Sequence, residues 1–348
     1  MSFLEFDKIL YHPENILAIK NQTKIFPVHA TISLGNFCNH KCLWCTAYEY
    51  QLDKANLLDL DKILTFLKKA KDRGLKAVTY VGNGEPTAYP KFKELITEIS
   101  KLGIEQGMFT NGYLINRFED EILKYFTWIR VSLDAGTTEV HNHMHDVNNH
   151  FEKIIKNTKE LIKKRENISP TVGIQFATHH ENIKDLYESA RISKEIKADY
   201  FSIKPVFNRG SVGERIEKNN ITHNDISPIA KRIKKDLENE SFKVFYREHQ
   251  VLSHEQEKTI LKYNKCVAGF FNINIYEDDR IIYCGPHRIS VGKITDNLEK
   301  IESNILKLSN NLDLSKCPAG CRYHSLNNLV ETILNPSSVT KEQHINFI

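Results

Sequence analysis

Six short runs rich in β-branched and aromatic residues recur along the first two thirds of the chain. They are Val28–Leu34, Lys76–Val81, Ile104–Thr110, Thr127–Asp134, Thr171–Thr178 and Asp199–Lys204. Each closes on polar residues or glycine, as strands do. Between them, apolar positions return every three or four residues. Leu60, Ile63, Leu64 and Leu67 follow that step, and Gly74 stands where a C-terminal cap belongs. Phe151, Ile154, Ile155, Leu161 and Ile162 repeat it, as do Ile226, Ile229, Ile233 and Leu237.

Strand–helix alternation over ~200 residues predicts an α/β fold with a parallel sheet and helices outside. Six units make either an open doubly wound sheet or a partial (βα)6, TIM-like barrel. Both architectures place ligands at the carboxyl ends of the strands. The chemistry-bearing residues fall there. Cysteines follow the first run, Gly82–Pro86 (GNGEP) the second, and Thr110-Asn111-Gly112 closes the third. Past about residue 240 the pattern changes. Phe270–Tyr276 and Arg280–Tyr283 flank Glu277-Asp278-Asp279, a hairpin signal. Helical stretches follow at Leu298–Leu308 and His324–Leu334. The expected division is an N-terminal extension (1–27), the partial barrel (28–240) and a small α+β domain with a hairpin (241–348).

The 348 residues are 41% hydrophobic and 26% charged, ordinary for a globular protein. With 48 basic and 44 acidic residues the net charge is +4, and no basic stripe argues for nucleic acid. Lysine runs such as Lys163-Lys164 fit solvated helix faces. The N-terminus lacks the signal-peptide pattern, and no apolar run reaches the ~18 residues a membrane span needs. The expected location is the cytosol, where clustered cysteines serve as ligands or catalysts rather than disulfides.

GNFCNHKCLWC (residues 35–45) places three of seven cysteines, Cys38, Cys42 and Cys45, within eight positions. A structural zinc site wants four ligands in closed tetrahedral geometry. His40 lies inside the loop, between two cysteines, which makes its convergence awkward. Three thiolates fit an iron–sulfur cube with one iron left open.

This C-x3-C-x2-C loop, with Trp44 before its last cysteine, resembles that of the radical S-adenosylmethionine (radical SAM) enzymes. The resemblance covers roughly residues 28–240. GNGEP is similar to the family's GGEP segment, with Asn83 in place of the first glycine. The resemblance implies a [4Fe–4S] cluster that binds S-adenosylmethionine. It also implies cofactor contacts at Trp44, Gly82, Asn83, Gly84, Glu85, Asn111, Ser132 and Asp134. An external one-electron donor such as flavodoxin or ferredoxin is implied too.

Cys266, Cys284, Cys317 and Cys321 form a second set. It resembles the auxiliary-cluster domain called SPASM, or its shortened twitch form. The full pattern has seven cysteines for two clusters, and a glycine where this chain has Asp279. Four cysteines imply one auxiliary [4Fe–4S] cluster with every iron ligated, with a structural zinc site as the alternative.

Three plus four leaves no cysteine to return a hydrogen atom, as radical epimerases usually require. A fully ligated auxiliary cluster fits electron acceptance. The expectation is therefore dehydrogenation of a small sugar, nucleotide sugar or polyol, with Gln175, Lys204 and Arg209 as candidate catalytic groups. The alternatives are radical modification of a short peptide, by epimerisation or cross-linking, and a non-catalytic iron–sulfur or zinc protein. Only some 27 residues precede the first strand, too few for the peptide-binding module of peptide-modifying relatives. The stretch Cys317–Ile348 is similar to radical enzymes of sugar and surface-polysaccharide pathways. Arg322 is suited to cluster sulfides, a phosphate or a core ion pair. The histidines of HNHMHDVNNH (141–150) are assigned to the approach of a helix rather than to a site. Gly210–Gly213 is either a mobile cover of the pocket or a plain connector.

Overall fold

A computed structural model describes residues 6–52, 54–166, 169–255, 261–318 and 320–335. Among the described residues, ten strands form one sheet: β1 (His29–Ile32), β2 (Ala77–Tyr80), β3 (Glu105–Thr110), β4 (Phe126–Ser132), β5 (Thr171–Thr178), β6 (Tyr200–Pro205), β7 (Lys243–Tyr246), β8 (Asn272–Ile275), β9 (Arg280–Ile282) and β10 (Ser290–Lys293). Their order is β10-β9-β8-β1-β2-β3-β4-β5-β6-β7. Neighbours from β1 to β7 pair in parallel, as the alternation predicts.

The helices cover the outer face through the apolar stripes seen in the sequence. Leu60–Asp72 starts on Asp59, whose carboxylate accepts the Lys62 N–H at 2.9 Å, and buries Ile63, Phe66, Leu67 and Ala70. Phe151–Lys164 buries Phe151, Ile154, Leu161 and Ile162 in the same way. The inner face follows the strand period of two. Trp128 and Arg130 on β4, Thr171 and Gln175 on β5, and Tyr200, Ser202 and Lys204 on β6 all line one cavity. This concave interior is that of a partial barrel.

Two strand pairings cross the expected division. The barrel sheet runs a little past residue 240, because β7 at Lys243–Tyr246 pairs with β6. Four residues, KVFY, are too short to register as a further unit. The cysteine-bearing hairpin is joined to the barrel sheet. β8 pairs in parallel with β1, His29 opposite Asn272, so the sheet runs unbroken from barrel to hairpin. The N-terminal extension holds a helix, Pro13–Asn21, and ties to the same region: the Asn15 amide donates to the Phe270 carbonyl at 2.7 Å. Residues 336–348, the end of the tail likened to sugar-pathway enzymes, lie outside the described residues.

Candidate active site

The cysteine loop leaves β1 and is held by distant parts of the chain. Gly84 allows the turn after β2 to close on it: a Cβ there would stand 2.2 Å from the Phe37 carbonyl oxygen. The Glu85 N–H donates to that same carbonyl at 2.9 Å. On the other side the Ser211 hydroxyl donates to the Leu43 carbonyl at 2.6 Å and lies 3.1 Å from that of Cys45. Arg215 donates to the Lys41 and Cys42 carbonyls at 2.9 and 3.3 Å. The Gln51 amide bridges Cys45 Sγ (3.7 Å) and the Asn83 carbonyl (2.7 Å). The segment after β6 is thus tied to the cysteine loop rather than free above the pocket.

The three thiols come within electrostatic reach of one another. Burial, then the Glu85 charge, pushes Cys38 up to about 12. Burial pushes Cys42 and Cys45 up as well, and both neighbouring cysteines add to the rise at Cys42. Bare thiolates are therefore unfavourable here, whereas a bound metal centre deprotonates its thiols outright. Three thiols on one loop fit a cluster with an open iron.

The second set converges too. Burial pushes Cys317 up to about 12, with Cys321, Cys266 and Cys284 each adding to it. Burial also raises Cys284, to about 11, and Cys266 and Cys321. Four mutually destabilising thiols with no disulfide among them fit a closed four-thiolate centre. His287 Nε2 lies 3.4 Å from Cys317 Sγ, and the Asn327 amide 3.5 Å from Cys266 Sγ.

The glycine-rich segment has a different internal economy from the one its motif implies. The Glu85 carboxylate accepts four hydrogen bonds from the protein, from the Thr87 N–H and hydroxyl, the Thr110 hydroxyl and the Asn111 N–H. It staples the end of β2 to the end of β3. Asn83 takes its N–H to Ser33 Oγ (3.0 Å) and its amide to Glu277 Oε1 (2.8 Å), linking this turn to the hairpin. The Asn111 amide donates to Asn39 Oδ1 at 2.8 Å. Asp134, at φ 54°, accepts the Ala177 N–H at 2.6 Å, and burial raises its carboxyl to about 7. Ser132 closes β4 two residues earlier. Trp44 packs edge-on against His145, with ring centres 5.2 Å apart.

The histidine run belongs at the site after all. His141 and His145 are four apart on the helix Thr138–His145. Both are buried, stacked at 4.3 Å, and packed behind the cysteine loop. His145 Nδ1 lies 3.1 Å from Cys42 Sγ and 3.2 Å from His40 Nδ1, and His150 Nδ1 lies 3.0 Å from His40 Nε2. Burial first, then the neighbouring imidazoles, pushes His40 down to about 3 and His145 well below the usual range. His40 therefore faces this cluster rather than acting alone as a fourth ligand.

A cavity of about 970 Å³ opens between the two cysteine sets. Thr46, Ala47, Gly82 and Asn83 line it beside the first, and Cys321 and Arg322 beside the second. Gln175, Lys204 and Arg209 all line the same space. Burial lowers the Lys204 ammonium, partly offset by Asp134. Burial also lowers Arg209, and Cys321 offsets part of that effect. The Arg322 guanidinium donates to the Tyr323 hydroxyl at 2.6 Å and makes no core ion pair among the described residues.

Residues 32–192 match the Radical SAM superfamily. The chain is 31% identical over 180 residues to the tungsten-containing aldehyde ferredoxin oxidoreductase cofactor-modifying protein of Pyrococcus furiosus. That match covers 48% of each chain, so it spans about half the length of the Pyrococcus protein. Identity is 25% over 332 residues to the antilisterial bacteriocin subtilosin biosynthesis protein AlbA of Bacillus subtilis, covering 86% of this chain and 68% of AlbA. The fold matches Streptococcus suis SuiB bound to S-adenosylmethionine, with TM-score 0.66 and 18% identity over 90% of this chain and 73% of SuiB. It also matches anSMEcpe with bound AdoMet, with TM-score 0.60 and 18% identity over 86% and 88% of the two chains. No helix among the described residues is long and apolar enough to cross a membrane. The family's cofactors, a [4Fe–4S] cluster and S-adenosylmethionine, accord with the loop of three thiols. The chain carries a domain of the radical SAM superfamily over residues 32–192.

Proposed function

We propose that this enzyme oxidises a hydroxyl-bearing carbon of a small sugar- or polyol-like molecule held in the cavity. Cys38, Cys42 and Cys45 hold the cluster that binds S-adenosylmethionine, with Trp44, Gly82–Glu85, Asn111, Ser132 and Asp134 around that cofactor. Cys266, Cys284, Cys317 and Cys321 hold one auxiliary [4Fe–4S] cluster. One observation carries the reading: a single cavity is lined by Thr46 and Ala47, which follow Cys45 of the first set, and by Cys321 of the second. When bound, the cofactors supply a carbon-centred radical at one border and a one-electron acceptor at the other, with flavodoxin or ferredoxin as external donor.

The chain's own residues hold the substrate between those borders and manage its proton. Burial lowers the Lys204 ammonium, which raises the fraction of neutral amine able to take the hydroxyl proton. Gln175, on the neighbouring strand, offers an amide that orients the hydroxyl. Arg209 stands at the border with Cys321. A second reading, radical modification of a peptide, has its support in the similarity to AlbA, which covers most of this chain.

Anaerobic reconstitution tests the assignment. About eight irons per chain and formation of 5′-deoxyadenosine are expected. Cys38→Ala, Cys42→Ala or Cys45→Ala should abolish cleavage of S-adenosylmethionine and leave about four irons. One or two zinc ions with no cleavage would overturn the enzyme reading. Substrate deuterium arriving in 5′-deoxyadenosine with a two-electron-oxidised product supports dehydrogenation. Solvent deuterium in an otherwise unchanged peptide favours epimerisation instead.

A further inference from the structure

The concave face carries a charge imbalance that the proton chemistry does not use. Arg130 on β4, Lys204 on β6, Arg247 just after β7, Arg288 beyond β9 and Arg322 all line the cavity, together with Lys8 and Arg209. No aspartate or glutamate lines it among the described residues. Arg130, Lys204, Arg247, Arg288 and Arg322 form no ion pair among the described residues.

Some of these charges have local work. Arg322 and Arg209 both lie within reach of Cys321, where they offset thiolate charge. Arg288 lies over the Tyr50 ring at 3.9 Å. Lys204 is taken up by the proton chemistry above. Arg130 and Arg247 remain. The Arg130 Nε–H donates to the Tyr200 hydroxyl at 2.8 Å, and its guanidinium faces the rings of Phe109, Trp128 and Tyr200 at 4.9, 5.9 and 5.3 Å. Rings offer a weak partial charge and do not neutralise a cation. Arg247 makes no side-chain hydrogen bond among the described residues. Burial, and then Arg130, pushes it down to about 10. Two like charges flanking a void are costly unless a counter-anion enters.

We propose that the substrate is phosphorylated, with its phosphate or diphosphate oxygens held by Arg130 and Arg247 on the β4–β7 side of the cavity. Two guanidinium groups match a dianion better than a single carboxylate, because a phosphate monoester carries about −1.5 to −2 at neutral pH. The planar fork of arginine also fits phosphate oxygens two at a time. The cavity lies among the inward residues of β4, β5 and β6, and its ~970 Å³ suits a small phosphate ester. This inference rests on the reading of the cavity as the substrate site.

Calorimetry on the full, anaerobically reconstituted chain with inorganic pyrophosphate as probe tests it. Saturable one-site binding that weakens with added salt is expected. Arg247→Met should weaken it about tenfold or more, and Arg247→Lys should retain part of it. Arg191→Met, on an exposed outer helix where Arg191 pairs with Glu188, should bind as wild type does. If Arg130→Met fails to fold for want of its Tyr200 bond, Arg247→Met still decides. Absence of saturable binding, or unchanged binding by Arg247→Met, overturns the proposal. Malonate binding as tightly as pyrophosphate overturns it in favour of a dicarboxylate, and a hexaglutamate peptide binding more tightly does so in favour of an acidic peptide. Formation of 5′-deoxyadenosine is scored separately. Cleavage without anion binding sinks this inference alone, and anion binding without cleavage sinks the radical reading alone.

Discussion

Gly210 fixes the distance between two loops that meet at the cysteine site. Its φ is +61°, and a Cβ there would stand 2.4 Å from Thr46 Cα and 2.7 Å from the Cys45 carbonyl oxygen. An alanine adds about 1 kcal/mol of left-handed strain and also forces the Cys45–Thr46 backbone away. Gly210→Ala should therefore lower the melting temperature and empty the three-thiol site. Iron per chain should fall from about eight towards about four. Full iron content with an unchanged melting curve would contradict this account. Neither sequence reading of Gly210–Gly213, mobile cover or connector, anticipates the contact, because its partner lies some 165 residues earlier in the chain. The same holds for Ser211 and Arg215, which have no local signature. The cysteines differ because their chemistry is written in their spacing.

At the scale of elements, β8 is the neighbour that keeps β1 off the sheet edge. The His29 N–H donates to the Phe271 carbonyl at 3.1 Å, and the Ser33 N–H to that of Ile275 at 2.8 Å. A chain cut after residue 265 loses β8, β9 and β10 and exposes β1 as an unpaired edge. Such a truncated protein should aggregate rather than behave as an independent barrel. A monomeric, cooperatively melting product in size-exclusion and thermal runs would show the barrel to be autonomous. All six strands expected in the first two thirds of the chain form, with ends shifted by a residue or two, because β-branched runs closed by turn residues are a local signal. The hairpin and both late helices were equally legible, and His324–Leu334 has the expected limits. The joining of hairpin to barrel was not, since pairing of β8 with β1 depends on contacts some 240 residues apart that no local pattern encodes. Asn83 shows the same limit: its departure from glycine reads as a mild substitution until its bond to Glu277 ties the two halves together.

Buried imidazoles set the response of the whole molecule to acid. His29 lines the cavity with Nε2 2.8 Å from Thr79 Oγ1, and burial, then Arg322, pushes it down to about 4. His141 is pushed down to about 4 and His40 to about 3, chiefly by burial. In the unfolded chain these rings protonate near pH 6.5. Their stability contribution is therefore fully present above pH 6.5. It shrinks as pH falls, because only the unfolded state takes up protons, and it is gone below about 4 for His29 and His141 and below about 3 for His40. For His29 alone the loss is roughly 3 kcal/mol. Asp134 works in the opposite sense: raised to about 7, its carboxyl favours the folded state most at low pH and loses that contribution as pH rises through 7. Burial raises the Glu85 carboxyl too, but two carboxyls do not offset several imidazoles, so the melting temperature should fall steadily from pH 7 to pH 4.5. His29→Gln retains a partner for Thr79 but cannot take up a proton. Its melting temperature should therefore fall less than that of wild type below pH 6.5, with the two curves parallel above it. Curves parallel throughout would mean that His29 does not report the burial of the cavity floor. A variant that loses more stability in acid than wild type would reverse the sign assigned to the ring.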